Sequence, residues 1–548
     1  MTDSLTSKTS LTSDRSPLDP VPWSGAISGL AAAVAALGVT EFLSGLAENP
    51  SIVLMVGERI IALTPGEVST EAIDRLGKNN KPTLTFALFI GAALLGALAG
   101  HLGRRRLWLY PAVVGVGAFV GWSAGWGVES ANGVITFVIA LVAALVGIAI
   151  HLLISIWAAR QASPEATPAR AESMVDPHHA RRQVLTAGGT LVAGGTAMTL
   201  GGRWLQGRST ASEGQEVAQR LLAPRVSTPA GSAPGTTVAG AGGSELVGLE
   251  ASTPGLTPFV VPNDEFYKID TSLFTPRVDI ETWRLRIHGM VDNEIEFSFE
   301  DLANMELVER MVTLSCVSNP VGGPLVGNAV WTGIPVTELL DMAGVQEGAD
   351  QFVSRSVDGW NCGFPTELAY DGRDAFVALT MNGDPLPVDH GFPARMVVAG
   401  LYGYVSATKW LSGIELTTWA GFDGYWIPRG WGKEGPVKTQ SRIDVPAMGQ
   451  SVASDELVVA GVAWAPDTGI ERVEVSIDEG EWVEADLGDE ITNDAWRQWR
   501  LDMPGLTPGD HVVQVRATDA SGETQTPDLR DVRPDGATGW HAIGFQIA

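Results

Sequence analysis

Apolar residues crowd the chain before residue 205 and then give way to short alternating runs. Residues 23–46 form an apolar run long enough to cross a bilayer, which takes about 20 helical residues. Residues 82–102, 107–126 and 133–157 predict three more spans, and the weaker stretch 184–202 predicts a fifth. The segment SIVLMVGERIIALT (51–64) is apolar but too short to span, and it carries Glu58 and Arg59. It reads as a re-entrant or interfacial helix.

Orientation follows from the arginines. Arg104, Arg105 and Arg106 lie between the second and third spans; Arg160, Arg170, Arg181 and Arg182 lie between the fourth and fifth. The positive-inside rule puts both loops in the cytoplasm. Five spans then leave the N-terminus inside and everything after Gly202 outside.

The remaining pattern divides the chain. Residues 1–22 are polar and read as a disordered N-terminus, and 23–204 as the membrane domain. Residues 205–256 are rich in Gly, Ser, Thr, Ala and Pro and read as a flexible linker. From 257 to 445, β-like runs such as RLRIHGMV and MVTLSCV mix with helical stretches such as VTELLDMAG, which predicts α+β. From 446 to 548, VVAGVAWA, RVEVSIDE, WRQWRLDM and HVVQVRATD alternate between turn residues. That spacing predicts an immunoglobulin-like sandwich.

Charge changes the picture only after the tether. Before residue 240 there are 17 Lys and Arg against 15 Asp and Glu; after it, 19 against 48. So acidic a body excludes nucleic acid, whose phosphates need Lys and Arg, and it argues against a polybasic grip on anionic lipid. Only 7 residues are Lys, a bias that suits a surface facing concentrated salt.

Two cysteines, Cys316 and Cys362, exclude a disulfide scaffold, a four-cysteine zinc site and an all-cysteine iron–sulfur cluster. Cys316 follows a strand-like run and precedes a Ser-Asn-Pro turn, so its sulfur can point from a strand end into a pocket. Its other readings are a buried thiol or an oxidised pair with Cys362. His101 and His151 fall toward span ends; interfacial residues and haem ligands are the two readings. Arg181 and Arg182, followed by a Gly/Ala/Thr-rich apolar stretch, resemble a twin-arginine export signal; stop-transfer charges are the alternative.

Four segments carry a family resemblance: NDEFYKID (263–270), TLSCVSNP (313–320), DHGFPARMVV (389–398) and SATKWLSGIEL (406–416). Over 257–445 they resemble the molybdopterin domain of the sulfite oxidase family. The region 446–548 resembles that family's C-terminal dimerisation domain, which implies a homodimer. The resemblance implies a molybdenum-molybdopterin cofactor with Cys316 as the protein's metal ligand. It implies a first cofactor loop of Phe266, Tyr267, Lys268, Ile269 and Asp270, with Asp358 at the pterin edge. His390 and Arg395 are expected at the phosphate end, and Ala407, Thr408 and Lys409 close the site. Tyr425 is expected near the metal, with packing against Trp426 and Trp431 as its other reading. Lys268 is expected to meet the substrate.

The chain departs from the family where sulfite oxidases have Arg and then His in the first loop: it has Lys268 and Asp270. Lysine lacks the planar fork of arginine that suits an oxyanion. Pro320 and Val321 stand where arginines often follow the cysteine motif. The expected activity is oxygen-atom transfer, with sulfite or a related sulfur compound oxidised and electrons passed to a separate partner. Reduction of an S-oxide or N-oxide fed from the membrane, and a non-catalytic tethered binding protein, are the alternatives.

Overall fold

The computed structural model describes residues 23–162, 177–208, 211–222 and 248–548, apart from a few positions in the interhelical loops, with short pieces at 238–239 and 245–246. The proposed disordered N-terminus and the side chain of Arg181 lie outside the described residues. The chain divides into two compact units, one mostly before Ser209 and one from Thr210 onward.

The first unit is helical: α1 (Ser24–Leu46), α2 (Ile52–Leu63), α3 (Asn80–Gly103), α4 (Leu109–Ala124), α5 (Gly133–Ala162) and α6 (Pro177–Arg208). Among the described residues three helices are long and apolar enough to cross a membrane, Ser24–Leu46, Asn80–Gly103 and Gly133–Trp157; Leu109–Ala124 is apolar but shorter. The short amphipathic segment expected at 51–64 is α2, capped by the Ser51 hydroxyl, which accepts from Leu54 N at 3.3 Å.

Small residues let α1 lie at backbone contact with its neighbours. A Cβ added at Gly195 of α6 would stand 2.6 Å from Val34 O. Gly188 meets Ile27 and Gly202 meets Glu41 in the same way, so the contacts step by seven residues along both helices. That order makes α1 and α6 parallel. Gly100 and Gly96 of α3 meet Gly25 and Gly29 in reverse order, so that pair is antiparallel. Close glycine approach of this kind is how helices associate without a hydrophobic driving force. His151 is buried, stacked on Tyr110 at 3.9 Å and 3.1 Å from Ser28 Oγ, rather than reaching outward; His101 is exposed beside Trp23.

The second unit begins with α7 (Ala211–Leu222), inside the segment expected to be tether. Its Ala218 and Leu222 are buried in the main core, so the linker reading fails for these residues. Two sheets follow, the first mixed and the second antiparallel. One runs β1 (Arg284–Gly289), β2 (Ile295–Ser298), β5 (Gln351–Ser356), β6 (Asn361–Pro365) and β10 (Leu411–Thr417) in the order β2-β1-β10-β5-β6. The other contains β3 (Val308–Ser315), β4 (Val326–Pro335), β7 (Ala375–Met381) and β8 (Asp384–Pro385) in the order β8-β7-β4-β3, with β9 (Arg395–Val398) also on β7. Only β10 and β1 pair in parallel within these sheets. Trp331, Phe352, Phe364 and Phe376 are fully buried in the shared core.

The C-terminal region is β-rich. One sheet holds Gln440–Val445, Val458–Trp464, Arg497–Asp502 and Asp486–Leu487; a second holds Ser451–Val452, His541–Ile547, Gly509–Asp519, Ile470–Ile477 and Val483–Glu484. Residues of both sheets, Val459 and Trp499 from one and Val475 and Val515 from the other, share one core. This region bonds directly to the strand that leads to Cys316: Thr313 N donates to Asp494 O at 2.9 Å and Trp496 N to Thr313 Oγ1 at 2.8 Å.

Candidate active site

Cys316 follows β3, whose last five residues, Met311 to Ser315, are all buried. Cys316 N extends the ladder to Leu325 O at 2.9 Å, and Asn319 closes the turn by accepting from Leu325 N at 2.8 Å. The thiol is therefore fixed at a strand end by backbone bonds on both sides. It is buried, 3.0 Å from Ser318 Oγ, and no disulfide forms: both cysteines are free. Burial raises the Cys316 thiol above its ordinary range, only partly offset by hydrogen bonds from Ser318.

Three loops meet beside it. Phe266 is buried, stacked on Tyr267 at 5.1 Å and edge-on to His390 at 5.6 Å. The His-Gly-Phe-Pro loop turns at Gly391, whose φ is +112°. A Cβ there would be strained and would stand 3.0 Å from Lys409 Cα. Glycine is thus what lets the loops of His390 and Lys409 touch.

Arg395 is buried and is held by backbone carbonyls: Nη1 donates to His390 O at 3.1 Å and Nε to Met396 O at 3.4 Å. Its guanidinium lies 4.9 Å over Trp331. Among the described residues no carboxylate lies within ion-pair range of it, and burial pushes it down to about 10. A buried cation without a counter-ion costs several kcal/mol. Such a site fits an anionic group, and the phosphate of a pterin cofactor has that chemistry. With a buried thiol nearby for a soft metal, the donor set fits molybdenum-molybdopterin.

His390 is bonded differently from expectation. Its Nε2 is 2.8 Å from Asn263 O, so Nε2 carries the proton and donates. Burial first, then the Arg395 charge, push it down to about 4. It is neutral at neutral pH and braces the first loop.

The two lysines are both paired. Lys268 Nζ lies 3.0 Å from Asp389 Oδ2, with its side chain 43% exposed. Lys409 Nζ donates to Asp270 Oδ2 at 2.7 Å and to Asp389 O at 2.9 Å. The first loop's acid thus meets the last loop's base. Burial alone would raise Asp389; hydrogen bonds from Lys268 and Thr275 and the nearby lysine charges outweigh it and hold the carboxyl low. Asp358 is half-buried, desolvation raises its carboxyl, and it accepts from Trp360 N at 2.9 Å. Ile269 is 48% exposed, unlike its loop neighbour Phe266. Ala407 is half-buried and Thr408 fully buried.

Tyr425 sits beside the Asp358 turn: its N donates to Asn361 O at 3.1 Å. Its ring packs edge-on to Trp426 at 5.1 Å, and the Arg429 guanidinium lies 3.8 Å over it. Arg442 is tied to Asp444 at 2.6 Å. The sequence reading missed Ser318, Asp389 and Cys362 as neighbours of the site. Cys362 Sγ is 3.2 Å from Thr408 Oγ1 and 3.3 Å from Ser354 Oγ, and burial pushes it up to about 11.

This arrangement defines a molybdopterin-binding oxidoreductase. The family model for the oxidoreductase molybdopterin binding domain matches residues 272–426, and that for the Mo-co oxidoreductase dimerisation domain matches 436–547. Human mitochondrial sulfite oxidase is 29% identical over 345 residues, covering 53% of this chain and 62% of that protein. The uncharacterized oxidoreductase YuiH of Bacillus subtilis is 32% identical over 157 residues, covering 29% of this chain and 76% of the relative. The crystal structure of the sulfane dehydrogenase SoxCD from Paracoccus pantotrophus aligns with a TM-score of 0.47 at 22% identity, over 52% of this chain and 81% of that one. The chain belongs to the sulfite oxidase family of molybdenum-molybdopterin enzymes. It spans 62% of the length of the human relative.

Proposed function

We propose that this protein is a membrane-anchored molybdenum-pterin oxidoreductase that oxidises sulfite or a related sulfur compound. The observation that carries the reading is the pairing of a buried thiol at a strand end, Cys316, with a buried arginine, Arg395, that has no carboxylate partner among the described residues. When bound, the cofactor supplies two-electron oxygen-atom transfer at molybdenum.

Each group then has a task. Cys316, as thiolate, is the protein ligand to the metal. Arg395 compensates the cofactor's phosphate, and His390 braces the loop of Phe266 and Tyr267. Lys409, Asp270 and Asp358 offer a mixed set of donors and acceptors to the pterin, with Ala407 and Thr408 closing the wall. Tyr425 holds a proton at its hydroxyl on the substrate side. Sulfite plus water yields sulfate, two protons and two electrons; the electrons leave singly to a separate protein partner.

The apolar helices anchor the chain in a lipid membrane as about five spans, with the catalytic region on the extracytoplasmic side. Arg181 and Arg182 serve as a twin-arginine signal, which suits export of a domain already folded around its cofactor. The β-rich C-terminal region is read as an immunoglobulin-like sandwich and a homodimer interface.

A second reading has one observation in its favour. With Lys268 and Lys409 each paired to an aspartate, the site presents little free positive charge. That favours a neutral S-oxide or N-oxide, reduced with electrons from the membrane. Molybdenum content measured together with turnover decides. Sulfite oxidation with a dye acceptor supports the first reading. Reduction of a sulfoxide with a reduced dye, and no sulfite turnover, supports the second. A purified chain without molybdenum overturns both.

A further inference from the structure

The helix after the membrane unit packs on the loop that carries His390 and Arg395. In α7, residues 214, 215, 217, 218, 221 and 222 face inward, whereas 216, 219 and 220 are exposed. That is the one-sided pattern of an amphipathic helix seated on a core. The contact is close. A Cβ added at Gly214 would stand 3.2 Å from Phe392 Cε1 and 3.8 Å from Ile280 Cγ2. Gln215 Nε2 donates to Leu386 O at 2.9 Å. Phe392 lies between His390 and Arg395, and Leu386 leads into the same loop. Phe392, Leu386, Ala218 and Leu222 are all buried in one cluster.

Arg395 itself heads strand β9, which pairs with β7, and its guanidinium lies over Trp331. Among the described residues its guanidinium hydrogen-bonds to carbonyls of its own and the adjoining segment, His390 O and Met396 O. The bond to His390 O ties the guanidinium to the loop that α7 packs on, and Lys409 lies against Gly391 of the same turn.

We propose that α7 is a clamp on the cofactor's phosphate loop, so that docking of α7 and retention of the cofactor favour each other. This rests on the reading of Arg395 as a cofactor residue. Linkage makes the effect reciprocal: if docked α7 tightens cofactor binding, bound cofactor must favour α7 docking by the same factor. The helix is then a positioning element that touches no reacting atom.

The test uses the full-length protein in detergent, as holoenzyme and as apoprotein from a host that makes no molybdopterin. Two quantities are read: the rate of molybdenum loss after dilution, and the rate of proteolytic cleavage within 211–222. Ala218→Glu should undock the helix and speed molybdenum loss about tenfold, a typical coupling between linked sites. Gln215→Ala, which leaves the core intact, should speed it about threefold, the effect of one hydrogen bond. Gln219→Ala, on the exposed face, should leave it unchanged. Wild-type α7 should be cleaved several times faster in the apoprotein. Equal cleavage in both forms, or molybdenum loss in Gln215→Ala no faster than in Gln219→Ala, overturns the proposal. Arg395→Met separates the premise. If that variant keeps molybdenum as well as wild type, the cofactor reading of the loop fails. If it loses molybdenum while the α7 variants do not, only the clamp fails.

Discussion

Two clusters of charge lie within one site and are built by opposite rules. Around Arg395 the chain buries a cation against Trp331 and, among the described residues, bonds it to backbone carbonyls rather than to a carboxylate. Around Lys268 and Lys409 it places an aspartate against each cation, with Lys268 left largely exposed. The first arrangement is unfavourable by itself and requires an anion to complete it; the second is complete already. One is a socket for a ligand's charge, the other a pair of clasps between loops distant in sequence. The contrast teaches that cation type and position say less about anion binding than whether a carboxylate is already in place.

The largest effect expected is at Cys316, the proposed metal ligand. Groups that only orient a metal's ligands usually contribute about 10–100-fold, so losing a thiolate bound to the metal itself should exceed that. Cys316→Ser puts a hard hydroxyl where a soft donor is needed. Turnover per folded chain should fall by more than about a hundredfold while the thermal midpoint changes little. Cys362→Ser, which keeps a hydrogen-bonding group toward Thr408 and Ser354, should retain most activity. Equal losses in the two variants would remove Cys316 from its special role.

Arg395→Met sharpens the socket half of the contrast. Methionine keeps most of the volume and removes the charge. In the loaded protein it leaves the cofactor's phosphate uncompensated, a loss of about 3–5 kcal/mol for one partner of a buried pair. In the apoprotein it removes a buried cation that no carboxylate balances, so that form should become more stable. Molybdenum per chain should drop sharply while the apoprotein's midpoint rises. A fall in both would show that Arg395 is held by something other than a ligand's charge.

Next in size is a pH effect at His390. Its folded value of about 4 lies below the ordinary 6.5, because burial excludes the charged ring. Its contribution to stability is therefore present above 6.5 and is lost as pH falls toward 4. The slope through that window is about 1.4 kcal/mol per pH unit. His390→Gln, which can still donate to Asn263 O, should flatten denaturant midpoints between those limits. An unchanged slope would mean that His390 takes up its proton equally in the folded and unfolded states across that window.

Much of this was legible in the sequence, for physical reasons that also mark where legibility stops. Long apolar runs give α1, α3 and α5 because helices of that length need only composition to be seen. The place of Cys316 at a strand end was legible because a strand-like run leads into it and a Ser-Asn-Pro turn follows. The segment 184–202 reads as weakly apolar because its glycines at 188, 195 and 202 are contact positions against α1, where absence of a side chain is the point. The helix α7 was hidden by its Gly- and Ser-rich surroundings. Its signal was present, in Val217, Ala218, Leu221 and Leu222 on one helical face. The ion pairs could not have been read at all. Lys268 and Asp389 are 121 residues apart, and Lys409 and Asp270 are 139 apart. Contacts at such separation leave no periodic trace, so a lone lysine in a motif looks free for substrate.

The smallest effects test that point. Lys268 is an exposed partner in an ion pair, and such pairs contribute about 0–1 kcal/mol. If it only clasps Asp389, Lys268→Met should change the sulfite KM by less than about twofold. Asp389→Asn should do more than that, because it releases a cation at the site's edge. Asp270→Asn should do more still, since Lys409 is the less exposed of the two lysines and its charge is less screened by water. Both aspartate variants should lower KM for sulfite, by about two- to fivefold, with kcat nearly unchanged, since the new charge acts on bound anion and transition state alike. The gain should shrink with added salt, and a neutral sulfoxide should show none of it. A tenfold rise in KM for Lys268→Met would place that lysine on the substrate after all. The clasp would then be an exchangeable pair, in which the incoming anion takes over the position that Asp389 holds.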